Sequence, residues 1–111
     1  MNKEFIPYEQ ALELKELGFD EECFKYYTEM GTLRIKDERP LPPLTYAPLY
    51  QQAFRWFREK HGLHHVVEYD PIDKVYSSLV RYDYLEDLPT YEEAELACLK
   101  KLIEIVKNER K

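Results

Sequence analysis

Apolar residues recur along the chain in three helical stripes and in shorter alternating runs. Tyr8, Ala11, Leu12, Leu14 and Leu17 fall at three- and four-residue steps behind Pro7, the spacing of one buried helix face. Gly18 and Phe19 follow. A glycine there supplies the left-handed residue that closes a helix, and the next apolar residue folds back on the last turn. The pattern predicts a helix from Pro7 to Leu17. A second stripe, Leu49, Tyr50, Ala53, Phe54, Trp56, Phe57 and His61, opens behind Pro48 and stops at Gly62 with Leu63 behind it. In the third, Ala94, Cys98, Leu102 and Ile105 run beside Leu99, Ile103 and Val106, predicting a helix from Tyr91 to about Asn108. Thr90 and Glu93 have the spacing of a capping box. Glu92, Glu93 and Glu95 stand at its positive end and Lys107, Arg110 and Lys111 at its negative end.

The strands are read from alternation and composition. Cys23 to Thr28 is aromatic-rich, Glu29-Met30-Gly31 reads as a turn, and Thr32 to Lys36 alternates, so a hairpin is expected from about Phe24 to Lys36. Residues 37–48 hold four of the seven prolines. Proline removes amide donors and fixes φ, so this stretch is expected as an extended connection whose leucines and Tyr46 pack on the domain. Leu63 to Asp70 and Val75 to Tyr84 predict a second hairpin across Pro71-Ile72-Asp73-Lys74. Pairing Asp70 with Val75 puts Leu63, His65, Val67 and Tyr69 on one face with Tyr76, Ser78, Val80 and Tyr82, and this more apolar face is expected inside. Leu85 to Pro89 reads as a loop. The order is α-ββ-α-ββ-α, an α+β fold with antiparallel hairpins packed against three helices. The pattern leaves open whether the hairpins share one sheet and whether the third helix's wide stripe also serves a dimer.

At 111 residues the chain is the size of one domain, 1–111. Its 16 Lys and Arg against 22 Asp and Glu leave a formal charge of −6, which disfavours broad phosphate-backbone binding. Cys23 and Cys98 are too few and too far apart for a disulfide framework and read as buried free thiols. Met1 to Pro7 does not have the basic-then-apolar form of a secretory leader, and no apolar run reaches the roughly 18–20 residues that span a bilayer. A cytoplasmic protein with no membrane partner is the expectation.

Several chemistries are suggested by residue type and weakened by spacing. His64, Glu68 and Asp70 project to one side of a strand, but like-sided positions lie ~7 Å apart, so the set spans ~20 Å and cannot meet on one metal ion. His61, His64 and His65 therefore read as structural or interface residues. Asp70, Asp73, Asp83, Glu86 and Asp87 lie in segments at opposite ends of a strand and read as a solvated acidic rim, not a two-metal hydrolytic centre. Cys98 falls on the third helix's buried stripe, where a thiol is inert. Arg55, Arg58 and Lys60 beside Trp56 and Tyr50 have the residue types of a nucleic-acid surface, but Glu59 interrupts them and Phe54, Trp56 and Phe57 read as core. No catalytic residue, cofactor or metal is expected.

Ten tyrosines remain to be placed. Tyrosine offers contact area at low entropic cost and a hydroxyl that wants a partner, so a surplus in a small domain points to a recognition surface. The expected surface comprises Tyr26, Tyr27, Tyr46 and Tyr50 with Arg55 and Arg58, or the edge where the second hairpin's tyrosines emerge. Its partner would be a protein or a second copy of the chain. The alternative is a nucleotide or other small ligand in an aromatic pocket.

Three segments also carry a resemblance: Ala11 to Glu21 (ALELKELGFDE), Ala47 to Leu63 (APLYQQAFRWFREKHGL) and Tyr91 to Leu102 (YEEAELACLKKL). Together they resemble a family of short phage and prophage proteins of Bacteroidetes-type bacteria. The resemblance implies a phage-derived context inside a bacterial host. It brings no assigned activity and no functional residue.

Overall fold

A computed structural model describes residues 4–35, 45–81 and 83–109. Among them the fold is α+β, with three helices and two three-stranded antiparallel sheets. The chain divides into two compact units, Met1–Ala53 and Phe54–Lys111, and the division falls inside the second helix.

The first unit holds α1 (Tyr8–Glu16), β1 (Lys25–Tyr27), β2 (Leu33–Ile35), β3 (Thr45–Ala47) and the start of α2 (Tyr50–His61). Pro7 is the N-cap of α1, not its first helical residue: its ψ of 155° is extended, while its carbonyl already accepts the Ala11 amide at 2.9 Å. At the other end the predicted glycine stop forms in full. Gly18 takes a φ of 100°, its amide donates to the Lys15 carbonyl at 3.1 Å, and the Phe19 amide donates to Leu14 at 3.0 Å. These are the two bonds of a Schellman cap. Ile6, Ala11, Leu14, Leu17 and Phe19 are all buried.

The first hairpin is shorter than expected, with Lys25 opposite Ile35 and Tyr27 opposite Leu33. Cys23 lies outside the strand and is buried. Lys36 and most of the proline-rich stretch, 36–44, lie outside the described residues. The end of that stretch corrects the expectation of a connection. Thr45–Ala47 is a strand, paired with β1 so that the sheet order is β2-β1-β3. An edge strand tolerates neighbouring prolines because one row of its amides needs no ladder partner. Pro48 is likewise not the first residue of α2. Its carbonyl accepts the Ile6 amide at 2.9 Å, Leu49 bridges Phe5, and the helix begins at Tyr50.

The second unit holds the rest of α2, β4 (His65–Asp70), β5 (Val75–Val80), β6 (Asp83–Leu88) and α3 (Tyr91–Glu109). The hairpin register is the expected one: His65 opposite Val80, Val67 opposite Ser78, Tyr69 opposite Tyr76, Asp70 opposite Val75. The Asp70 carboxylate holds the four-residue turn by accepting the Ile72 and Asp73 amides at 2.9 and 3.3 Å. Ser78 and Val80 are buried while Val66 and Glu68 are exposed, so the apolar face does turn inward.

Two boundaries differ from the sequence reading. β5 ends at Val80, because Arg81 takes a φ of 56° and turns the chain; Tyr82, expected on the inner face, lies outside the described residues. The stretch expected as a loop, Leu85 to Pro89, lies largely within β6, giving the sheet order β4-β5-β6. Among the described residues the two hairpins belong to different sheets, β2-β1-β3 and β4-β5-β6.

α3 packs on the inner face of this sheet. The Thr90 hydroxyl accepts the Glu93 amide at 3.1 Å, the first half of the predicted box. Ala94, Cys98, Leu99, Leu102, Ile103 and Val106 are buried, while Ile105 of the same stripe is half-buried. No helix among the described residues is long and apolar enough to cross a membrane.

Candidate binding surfaces

The residues expected to form one surface are distributed differently in the fold. Tyr26 and Tyr46 lie directly opposite each other on β1 and β3, both half-buried. Tyr27, the next residue on β1, points to the opposite face, as strand alternation requires. Its ring meets Tyr8 with centroids 5.3 Å apart, and its hydroxyl donates to the Ile6 carbonyl at 2.6 Å. Burial pushes that phenol's pKa up. Tyr50 is only 6% exposed. Of the four tyrosines, Tyr26 and Tyr46 thus stand together at a surface, while Tyr27 and Tyr50 have structural surroundings. Beside Tyr46 is a cavity of about 370 Å³, lined also by Ala11, Lys15, Gly18, Phe19 and Asp20. Arg55 and Arg58 belong to the second unit. Both are exposed, and Arg55 pairs with Glu59 at 3.6 Å one helical turn on.

The second hairpin's tyrosines form a more continuous feature. Tyr69 and Tyr76 sit opposite each other with ring centroids 4.9 Å apart, and Tyr91, the first residue of α3, meets Tyr76 edge-on at 5.8 Å. The outer two members remain open, Tyr69 at 52% and Tyr91 at 46% exposure. The turn next to Tyr69 adds Ile72 at 88% exposure. The pairing of Tyr69 with Tyr76 is legible from alternation. Its extension to Tyr91 is not, because only the packing of α3 on the sheet brings that residue near.

The groups with chemical potential are engaged in packing. The His65 ring stacks on Phe54 at 3.6 Å, and His61 meets Trp56 edge-on at 4.9 Å. Cys98 is fully buried, with its thiol 3.7 Å from the Leu79 carbonyl and 3.8 Å from that of Val66. Burial pushes the thiol up to about 11, opposed in part by the hydrogen bond to the Leu79 carbonyl and helped, least of the three, by the Glu95 carboxylate. A thiol held protonated in this way is a poor nucleophile. Among the described residues no group of three His, Cys, Asp or Glu side chains converges to hold a metal ion.

Comparison with known family models, curated proteins and solved structures found no match.

One consequence is a pH dependence of folding. Burial, with smaller contributions from the Arg58 and His64 charges, lowers His65 to about 4 from the ordinary histidine value of 6.5. The folded pKa lies below the unfolded one, so the unfolded chain takes up the proton first. Stability from this group is complete above the unfolded pKa and is lost as pH falls toward the folded one. Allowing for its partial exposure, the loss is about 1–2 kcal/mol. Glu95 acts in the opposite sense, since burial and Glu92 raise it to about 6. The His65 contribution is isolated by comparing wild type with His65→Phe in urea titrations at about pH 7 and about pH 4.5. The variant is expected to lose less stability on acidification than wild type. An identical pH response of the two would refute the assignment.

Proposed function

We propose that this is a non-catalytic binding protein of phage derivation, working inside a bacterial cell through contacts with another protein or with a second copy of itself. The observation that carries the proposal is the Tyr69–Tyr76–Tyr91 ridge with Ile72 at its end. Ring-to-ring packing restricts these side chains before any partner arrives, which lowers the entropy lost on binding. Their hydroxyls let the same surface face water when unbound. The absence of catalysis is supported by the way Cys98 and His65 are tied into the packing. The phage derivation and the cytoplasmic setting rest on the resemblance of the three helical segments.

The test is a Tyr69→Ser/Tyr91→Ser variant, compared with wild type by light scattering over a range of concentrations and by capture of proteins from host extract. Both substitutions are at exposed positions, and a thermal midpoint close to wild type confirms folding. The reading predicts either a concentration-dependent mass or a specifically retained protein, in each case lost in the variant. A strictly monomeric wild type with the same capture profile as the variant would refute it.

A second reading has one observation in its favour: the 370 Å³ cavity beside Tyr46 is lined by two aromatic residues, Tyr46 and Phe19, with Lys15 and Asp20 as polar groups of both signs, a lining that suits a small aromatic ligand. A nucleotide that raises the thermal midpoint in wild type, but not in Tyr46→Ala, would support it.

A further inference from the structure

We propose that the trough between β6 and α3 receives an extended, basic segment of a partner protein, which adds to the sheet as a fourth strand beside β6. This surface shares no residue with the tyrosine ridge, although Leu88 pairs with Tyr76, and the proposal does not depend on the ridge. Three independent features converge there.

The first is an open sheet edge. β6 pairs with β5 on one side, and among the described residues no strand pairs with its other side. Such an edge presents a row of backbone donors and acceptors that an extended peptide can complete.

The second is shape. A trough of about 580 Å³ runs alongside that edge, between β6 and α3. Its apolar lining comes from Leu85 and Leu88 of the strand and Leu96 and Ala97 of the helix. Leu85 is there because of a bulge. Tyr84 pairs with Leu79 and Glu86 with Ser78, so Leu85 is an extra residue with no partner in the ladder. Bulges of this kind re-aim a side chain at a sheet edge. A strand added beside β6 would direct alternate side chains into this lining.

The third is charge, which selects the occupant. β6 carries Asp83, Glu86 and Asp87 and no cation, and the helix wall adds Glu93 and Glu104. The same wall carries Lys100 and Lys101, and Lys101 pairs with Glu104 at 3.2 Å, so its charges balance and the acidic excess lies on β6. A second copy pairing through its own β6 would set acidic strand against acidic strand, which is destabilising. A segment alternating Lys or Arg with Val, Leu or Ile would place its apolar residues in the trough and its cations on the opposite face, where Asp87 stands across from Ser77, within the negative field of the whole strand.

The experiment uses the full chain and a synthetic six-residue peptide alternating Lys and Val, matched to the six residues of β6. The expected result is saturable binding with a Kd below about 1 mM. Amide exchange should slow selectively in β6. A peptide alternating Glu and Val should bind at least about tenfold more weakly. So should the Lys/Val peptide N-methylated at alternate residues, because it cannot complete the ladder. Glu86→Lys/Glu93→Lys, at two exposed positions, should weaken binding of the Lys/Val peptide by about tenfold with an unchanged thermal midpoint. Absence of binding, equal binding of the acidic or N-methylated peptide, or binding without protection of the β6 amides would each overturn the proposal.

Discussion

Replacing Phe57 with alanine is expected to destabilise the protein by about 3–5 kcal/mol, a large share of the total stability of a chain this size. The side chain has no solvent exposure and is the largest of the fully buried ones among the described residues. Trp56 packs edge-on against it with centroids 5.0 Å apart. The backbone around Phe57 is also committed, since its carbonyl accepts the Leu63 amide at 3.1 Å as the chain turns at Gly62. The walls of the resulting cavity are therefore constrained against collapse, which places the cost in the upper part of the range. Trp56 is the chain's only tryptophan, so its fluorescence in a urea titration reports this neighbourhood directly. Phe57→Leu, which keeps most of the volume, should cost less than about 2 kcal/mol. A loss below about 1 kcal/mol for alanine would contradict the packing described.

The second large effect is expected at Leu14, in the other unit. Leu14→Ala should cost about 2–5 kcal/mol. The side chain is fully buried, and its carbonyl accepts the Phe19 amide that closes the helix. Phe19 is itself buried, so the cap and the core are formed by the same residues, and emptying the Leu14 site removes apolar support from both. Leu12, two positions earlier on α1, is only half-buried, and Leu12→Ala should cost clearly less. Equilibrium unfolding followed by far-ultraviolet circular dichroism measures both. An equal loss at the two positions would show that burial does not rank their contributions.

Much of this architecture was legible in the sequence, for local reasons. The three helices follow from apolar spacing and from glycines that stop α1 and α2, signals contained within a few turns of chain. The β4–β5 register was legible too. A four-residue turn leaves only one face apolar enough to bury, and a one-residue slip would expose it.

The elements without a local sequence signal are edge strands. β6 reads Asp-Tyr-Leu-Glu-Asp-Leu, half acidic, and the bulge at Leu85 breaks the two-residue period by which a strand is recognised. β3 is three residues long and lies next to a proline. Both strands are defined by the neighbour they pair with, and pairing partners distant in sequence leave no local trace. The proposed peptide trough was hidden for the same reason, since it exists only where β6 and α3 face each other.

The sequence by itself determined the helices, the inward face of the second hairpin, the acidic balance and the excess of tyrosine. It did so because periodicity, capping and composition are properties of neighbouring residues. Only the tertiary structure decided what the tyrosines do. Tyr27 is held at the Ile6 carbonyl and Tyr50 is buried, while Tyr69, Tyr76 and Tyr91 join into one open ridge. A tyrosine can bury its ring or display it at little difference in cost, provided its hydroxyl finds a partner or water. That choice depends on which residues remote in the chain come to lie beside it.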